Sequence, residues 1–161
     1  MLKHTFIHIQ GIGLKTERNL WKKGILTWQD FLNHREPIFS RARDQFIGEE
    51  LEASSEHFDN IHFFQDRLSS GDMWRIFGAF KEKAVYLDIE TSGGYQGMDE
   101  ITVIGLYDGC NVHTFVNGDN LDEFGISISH YDLVITFNGT TFDLPFIRRW
   151  FPNISLPPPH I

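Results

Sequence analysis

Near residue 83 the spacing of apolar positions changes from helical to alternating. Upstream, Leu14, Leu20 and Trp21, then Ile25, Trp28, Phe31 and Leu32 recur at helical intervals and predict two short helices within His8 to Leu32. Gly24 falls where the first should stop in a left-handed residue, and Thr27 with Asp30 makes a capping-box pattern opening the second. From Pro37 to Leu68, Phe39, Phe46, Leu51, Phe58, Ile61 and Phe64 recur more loosely among many charges and predict helical, surface-lying segments. Ser69-Ser70-Gly71-Asp72 is a turn signal before Met73 to Phe80, a short helix or an extended connector. Around His4, Phe6 and His8 the pattern alternates as in a strand, which puts both histidines on one face, solvated or facing a partner.

Downstream, Ala84 to Thr91 predicts a strand from its branched and aromatic content, and a glycine-rich turn, Ser92 to Gly97, follows. Ile101 to Tyr107 and Val112 to Val116 are two more strands, and Asp108-Gly109 between them is a hairpin signal that makes them antiparallel neighbours. Asp119 to Ile128 reads as a short helix, Leu133 to Phe137 as a fourth strand and Phe142 to Phe151 as a helix. The expected organisation is a helical module over residues 1–35, a helical linker over 36–72 and an α/β domain of order βββαβα over 73–161. Leu156-Pro157-Pro158-Pro159-His160-Ile161 cannot continue a helix, so the domain is expected to be incomplete at its C-terminal end.

Composition narrows the classes. With 41% hydrophobic and 14% aromatic residues the chain has the material for a packed core, which excludes intrinsic disorder. It has no uncharged apolar run long enough for a membrane span and no secretory leader pattern, and its single cysteine, Cys110, excludes an internal disulfide or a thiolate-rich zinc site. A soluble, cytoplasmic protein is the expectation. The net charge of -8 argues against a general polyanion-binding surface, but it is unevenly placed: residues 1–35 carry +4, and residues 81–161 carry -7.

In the first strand Tyr86, Asp88 and Glu90 share one face and Val85, Leu87 and Ile89 the other. Two carboxylates on one face of a central strand suit a divalent cation, although a lone Asp-x-Glu also describes a solvated sheet face. A third carboxylate, Asp143, follows the fourth strand in Asn138-Gly139-Thr140-Thr141-Phe142-Asp143-Leu144-Pro145-Phe146. Asp143-Leu144-Pro145 fits a helix start, while Asn138-Gly139 alone also fits a hairpin turn and Asp143 a simple cap.

Taken together, these two segments resemble the motifs of the ribonuclease-H-like exonucleases of the four-carboxylate (DEDD) class, in particular their YprB-type branch. Its first motif corresponds to Asp88 and Glu90, and its second, Asn-x-x-x-Phe-Asp-x-Pro-Phe, to Asn138, Phe142, Asp143, Pro145 and Phe146. The resemblance covers residues 73–161. It implies a ribonuclease-H-like α/β fold and 3′-5′ hydrolysis of nucleic-acid phosphodiesters with two Mg2+ or Mn2+ ions about 3.5–4 Å apart. On that resemblance Asp88 bridges both ions, Glu90 holds the ion that binds the nucleophile, Asp143 serves the other, and Asn138, Phe142 and Thr91 line the substrate. The third motif, with the fourth carboxylate and a histidine or tyrosine base, is missing and is expected beyond Ile161, so poor activity is expected of this chain alone. The alternative is a non-catalytic nucleic-acid- or partner-binding protein built on a degenerate nuclease fold.

Gly11-Ile12-Gly13, followed by Leu14-Lys15-Thr16, resembles the hairpin of helix-hairpin-helix DNA-binding modules. That resemblance implies sequence-independent phosphate contacts through backbone N–H groups at Gly11 and Gly13, with Lys15 and Arg18 adding charge. A compact helical pair used only for packing is the plain alternative. Nucleic acid, with DNA favoured over RNA, is the expected partner.

Overall fold

The computed structural model describes residues 1–93 and 99–157. Most of the glycine-rich turn expected over Ser92–Gly97 lies outside the described residues, as does His160. The chain divides into two compact units, Met1–Ala79 and Phe80–Ile161.

In the first unit α1 (Leu14–Lys22) stops where Gly24 adopts φ +83°, with Gly24 N–H bonded to Trp21 O and Ile25 N–H to Leu20 O. This paired closure is the Schellman motif that glycine's left-handed freedom permits. α2 (Trp28–Leu32) opens on the expected capping box: Thr27 Oγ1 accepts from Asp30 N–H at 3.1 Å, and Asp30 Oδ2 accepts from Thr27 N–H at 2.8 Å. α3 (Arg41–Glu56) and α4 (Ile61–Gln65) follow.

Residues 36–72 are helical as expected but are more than a surface linker. Ile47, Leu51, Ile61 and Phe64 are buried beside Phe6, Leu20, Ile25 and Trp28 in the core of the first unit. The many charges of α3 mask its inward stripe, because they occupy only its outer face. Residues 73–79, expected with the α/β domain, also belong to this unit: Met73 and Ile76 of a 3-10 turn over Ser70–Ile76 are buried.

The segment around His4 and His8 corrects the strand expectation. Leu2–His4 is a 3-10 turn, no strand follows, and His8 is only 4% exposed instead of solvated. Its ring lies 5.4 Å from Trp28 and 5.8 Å from Phe64, and Nε2 is 2.9 Å from Ser54 Oγ. Apolar neighbours surround this side chain, and one of its two ring nitrogens finds a partner on α3.

Glu17 of α1 is also fully buried. Its Oε1 accepts from Phe6 N–H at 2.7 Å, and its Oε2 lies 3.1 Å from Arg75 Nη1, held there by charge and not by a well-directed hydrogen bond. Arg75 also donates from Nε to Asp72 at 3.2 Å. A buried carboxylate is tolerable only with such compensation.

α5 (Phe77–Phe80) ends at the first residue of the second unit, where a 3-10 turn (Lys81–Lys83) leads into β1 (Ala84–Thr91). β2 (Ile101–Tyr107) and β3 (Val112–Val116) form the expected antiparallel pair, and β4 (Leu133–Thr136) lies parallel to β1. The sheet order is β3-β2-β1-β4. One face carries Val85, Leu87, Ile89, Ile104, Leu106 and Phe115. α6 (Phe124–Ile128), preceded by a 3-10 turn where a longer helix was expected, and α7 (Asp143–Trp150) cover it with Phe124, Ile128, Leu144 and Ile147. Leu156, in the proline-rich tail, joins the same core. On the opposite face Tyr86, Asp88 and Glu90 are exposed, so the second unit is a mixed sheet with one face covered and one open.

Candidate functional site

β1 delivers Asp88 and Glu90 to the open face by simple alternation. Asp88 pairs across the ladder with Gly105, which leaves the position beside its carboxylate without a side chain. Tyr86 pairs with Tyr107, their rings 6.0 Å apart, and with Val112, Ile135 and Phe137 they line a groove of about 570 Å³ that reaches Asp88. The ladder slips between Glu90 and Thr91, a bulge that re-aims the strand end just past the acidic pair, and Thr91 is half-buried there.

Asp143 arrives from the other side. β4 ends at Thr136, opposite Leu87 and one residue short of Asp88. The chain then turns through Asn138 at φ +59°, whose carbonyl accepts from Thr141 N–H at 3.1 Å and Thr141 Oγ1 at 3.0 Å, and Leu144 N–H closes on Gly139 O at 2.8 Å. The next element is α7 and not a strand, so Asn138-Gly139 does not form a hairpin between strands. Pro145 in the first helical turn costs no hydrogen bond.

Asp143 is 3% exposed. Burial, above all, pushes its carboxyl above the ordinary range; its own backbone N–H opposes that, the charge of Asp88 adds to it, and the Ile89 N–H opposes it again. Asp88 and Asp143 are therefore electrostatic neighbours. Asn138 is exposed, and Phe142 is partly exposed with its ring 5.3 Å from that of Phe146.

Hard carboxylate oxygens suit Mg2+ or Mn2+. Among the described residues, however, no three Asp, Glu, His or Cys side chains stand close enough together to hold an ion. Asp88 and Glu90 stand two residues apart on one strand face, and Asp143 opens α7 within reach of the Asp88 charge. Two carboxylates fit an Mg2+ that keeps several waters and takes phosphate oxygens from substrate, but do not alone fit a two-ion set.

In the first unit Gly11 adopts φ +81° and Gly13 is the N-cap of α1, with no side chain capping the first-turn N–H groups. Lys15 and Arg18 are exposed on that helix. Sequence reasoning missed Arg43 of α3, whose Nη2 donates to Gly11 O at 2.9 Å and whose guanidinium lies 4.6 Å from the Phe39 ring. A cleft of about 580 Å³ beside the hairpin is lined by His8, Gln10, Gly11, Gly13, Asp66 and Arg67 among others. The Gly-x-Gly pattern is visible in sequence; a contact spanning 32 residues has no local signal.

Residues 85–161 match the RNase_H_2 model of the RNase_H superfamily. The four-stranded mixed sheet with its helices fits a ribonuclease-H-like fold, and such a fold points to nuclease chemistry on nucleic acid. No curated protein matches the chain. Among the described residues no helix is long and apolar enough to cross a membrane.

Proposed function

We propose, with a ribonuclease-H-like domain over residues 85–161 as premise, that the chain acts as a metal-dependent nuclease removing nucleotides from a 3′ end. The observation that carries this reading is the pairing of Asp88 with the buried Asp143 at the junction of β1, β4 and α7. Structural carboxylates are rarely buried beside a second carboxylate without a compensating cation, and a site poised to take one explains the arrangement.

Asp88 and Asp143 would hold Mg2+ or Mn2+, with Glu90 reaching from the same strand face. Bound divalent ions supply Lewis-acid polarisation of the phosphoryl oxygens and an acidified water. The open position at Gly105 leaves room for a phosphate beside Asp88, and Asn138, Phe142 and Thr91 would contact the substrate. Burial and the Asp88 charge hold the Asp143 carboxyl above its ordinary range, and a cation bound there would offset both by favouring the charged carboxylate. The Gly11–Gly13 hairpin with Lys15 and Arg18 would hold the DNA backbone without reading sequence.

The test is a 3′-labelled and a 5′-labelled single strand incubated with Mn2+. Shortening from the 3′ end, however slow, should occur and should disappear in Asp88→Asn and Asp143→Asn. DNA binding with no Asp88-dependent hydrolysis would favour the second reading, a non-catalytic binding platform, which gains support from the lack of any three-ligand cluster among the described residues.

A further inference from the structure

Seven residues after it pairs with Leu87, the chain must return a carboxylate to the neighbourhood of Asp88, and the depth of the intervening turn decides whether it does. β4 makes its last pairing at Thr136, so the Thr136 side chain stands at the floor of the turn. Gly139, which is buried, sits directly on that floor: a Cβ placed on it would collide with Oγ1, Cβ and Cγ2 of Thr136. Gly139 O in turn accepts from Leu144 N–H at 2.8 Å, tying this contact to the first turn of α7, one residue past Asp143.

We propose that Thr136 and Gly139 are a positioning pair. Their contact seats the 137–142 turn and thereby sets the separation of the Asp88 and Asp143 carboxylates. Neither residue touches a reacting atom; both act through Asp143. Gly139 is needed here for the absent side chain and not for its backbone freedom, because the positive φ of this turn belongs to Asn138. Thr136 supplies the matching bulk. Any added atom between the two lifts the turn, and α7 with it, away from β1.

This inference rests on the nuclease reading, and the experiment separates the two. Mn2+ binding is measured by electron paramagnetic resonance on the full chain, with circular dichroism and thermal melting recorded for every variant. Wild type should bind Mn2+, and Asp88→Asn and Asp143→Asn should weaken it; wild type without Asp88-dependent binding overturns the nuclease reading and the inference with it. Given wild-type binding, Gly139→Ala should weaken Mn2+ by about tenfold or more, the scale on which supporting residues tune metal sites. Adding Thr136→Gly to Gly139→Ala reopens the space and should restore most of the affinity, a recovery that a loss of general stability would not produce. Thr136→Ala, which removes two of the three colliding atoms and keeps the strand, should loosen the seat and weaken Mn2+ by a smaller factor than Gly139→Ala. Wild-type affinity in folded Gly139→Ala overturns the positioning role and leaves the nuclease reading standing. If Gly139→Ala does not fold, Thr136→Ala decides: unchanged affinity in that folded variant overturns the proposal.

Discussion

Acidification should weaken the first unit through His8. Ser54 Oγ donates its proton to Glu50 O at 2.7 Å, so the hydrogen shared between His8 and Ser54 must sit on His8 Nε2. Nδ1 is then a buried acceptor with no hydrogen-bond partner. Burial foremost, and then the Arg67 cation, hold this imidazole down to about 4 from the usual 6.5, against a smaller opposing effect of the Thr5 backbone. The unfolded chain takes up a proton as pH falls through 6.5, whereas the folded chain refuses it until about 4. Stability from this group is therefore complete above pH 6.5 and is lost progressively as pH falls towards 4, by about 3 kcal/mol in all. His8→Phe keeps an aromatic ring between Trp28 and Phe64, removes the orphaned nitrogen and leaves the Ser54 hydroxyl still bonded to Glu50. The variant should match or exceed wild-type stability at pH 5, and its free energy of unfolding should slope less steeply with pH. Urea denaturation followed by tryptophan fluorescence suits the measurement, because Trp21, Trp28 and Trp74 all lie in this unit. Parallel curves for wild type and His8→Phe between pH 6.5 and 4 would refute the reasoning.

Arg75→Met should cost about 3–5 kcal/mol by stranding the buried Glu17 charge, while Glu17→Gln in the same chain, which keeps an acceptor for Phe6 N–H, should recover much of it; strictly additive losses in urea midpoints would contradict a coupled pair. Gly13→Asp should keep or raise stability, since Gly13 has ordinary N-cap dihedrals and open space for a side chain, yet should weaken DNA binding and lower the slope of log affinity against log salt by about one. Unchanged binding with that added charge would assign the hairpin to packing alone.

Sequence made the second unit legible because its strands are short-range objects. Branched and aromatic runs, the Asp108-Gly109 turn and the Asp-x-Glu alternation all act within a few residues, and β1, β2 and β3 appear where they predict. The parallel placement of β4 beside β1 has no local signal, because it depends on the crossover through β2, β3 and α6. Thr91 shows the limit of such reasoning: alternation sets the face of Asp88 and Glu90, but the bulge between Glu90 and Thr91 that re-aims the strand end has no signature in Ile89-Glu90-Thr91. In the first unit the local stops and caps at Gly24, Thr27 and Asp30 were readable. His8, Glu17 and Arg75 were not, because polar residues enter a core only where partners from distant segments meet them, and those partners are visible only after folding.

The Glu17–Arg75 ion pair also has a consequence in time. Arg75 reaches back to Thr5 Oγ1 across 70 residues of chain, at 3.4 Å. At about 5–20 residues per second, a ribosome delivers Arg75 some 4–14 s after Thr5. Throughout that interval α1 can form as a helix, but docking it would bury the Glu17 carboxylate with no cation beside it, so the apolar stripe of α1 must wait, exposed, for the last turn of its own unit. The segment with the net positive charge is thus among the first made and among the last to be fixed in place. During synthesis its hairpin amides and lysines are open to any polyanion before the core beneath them has closed.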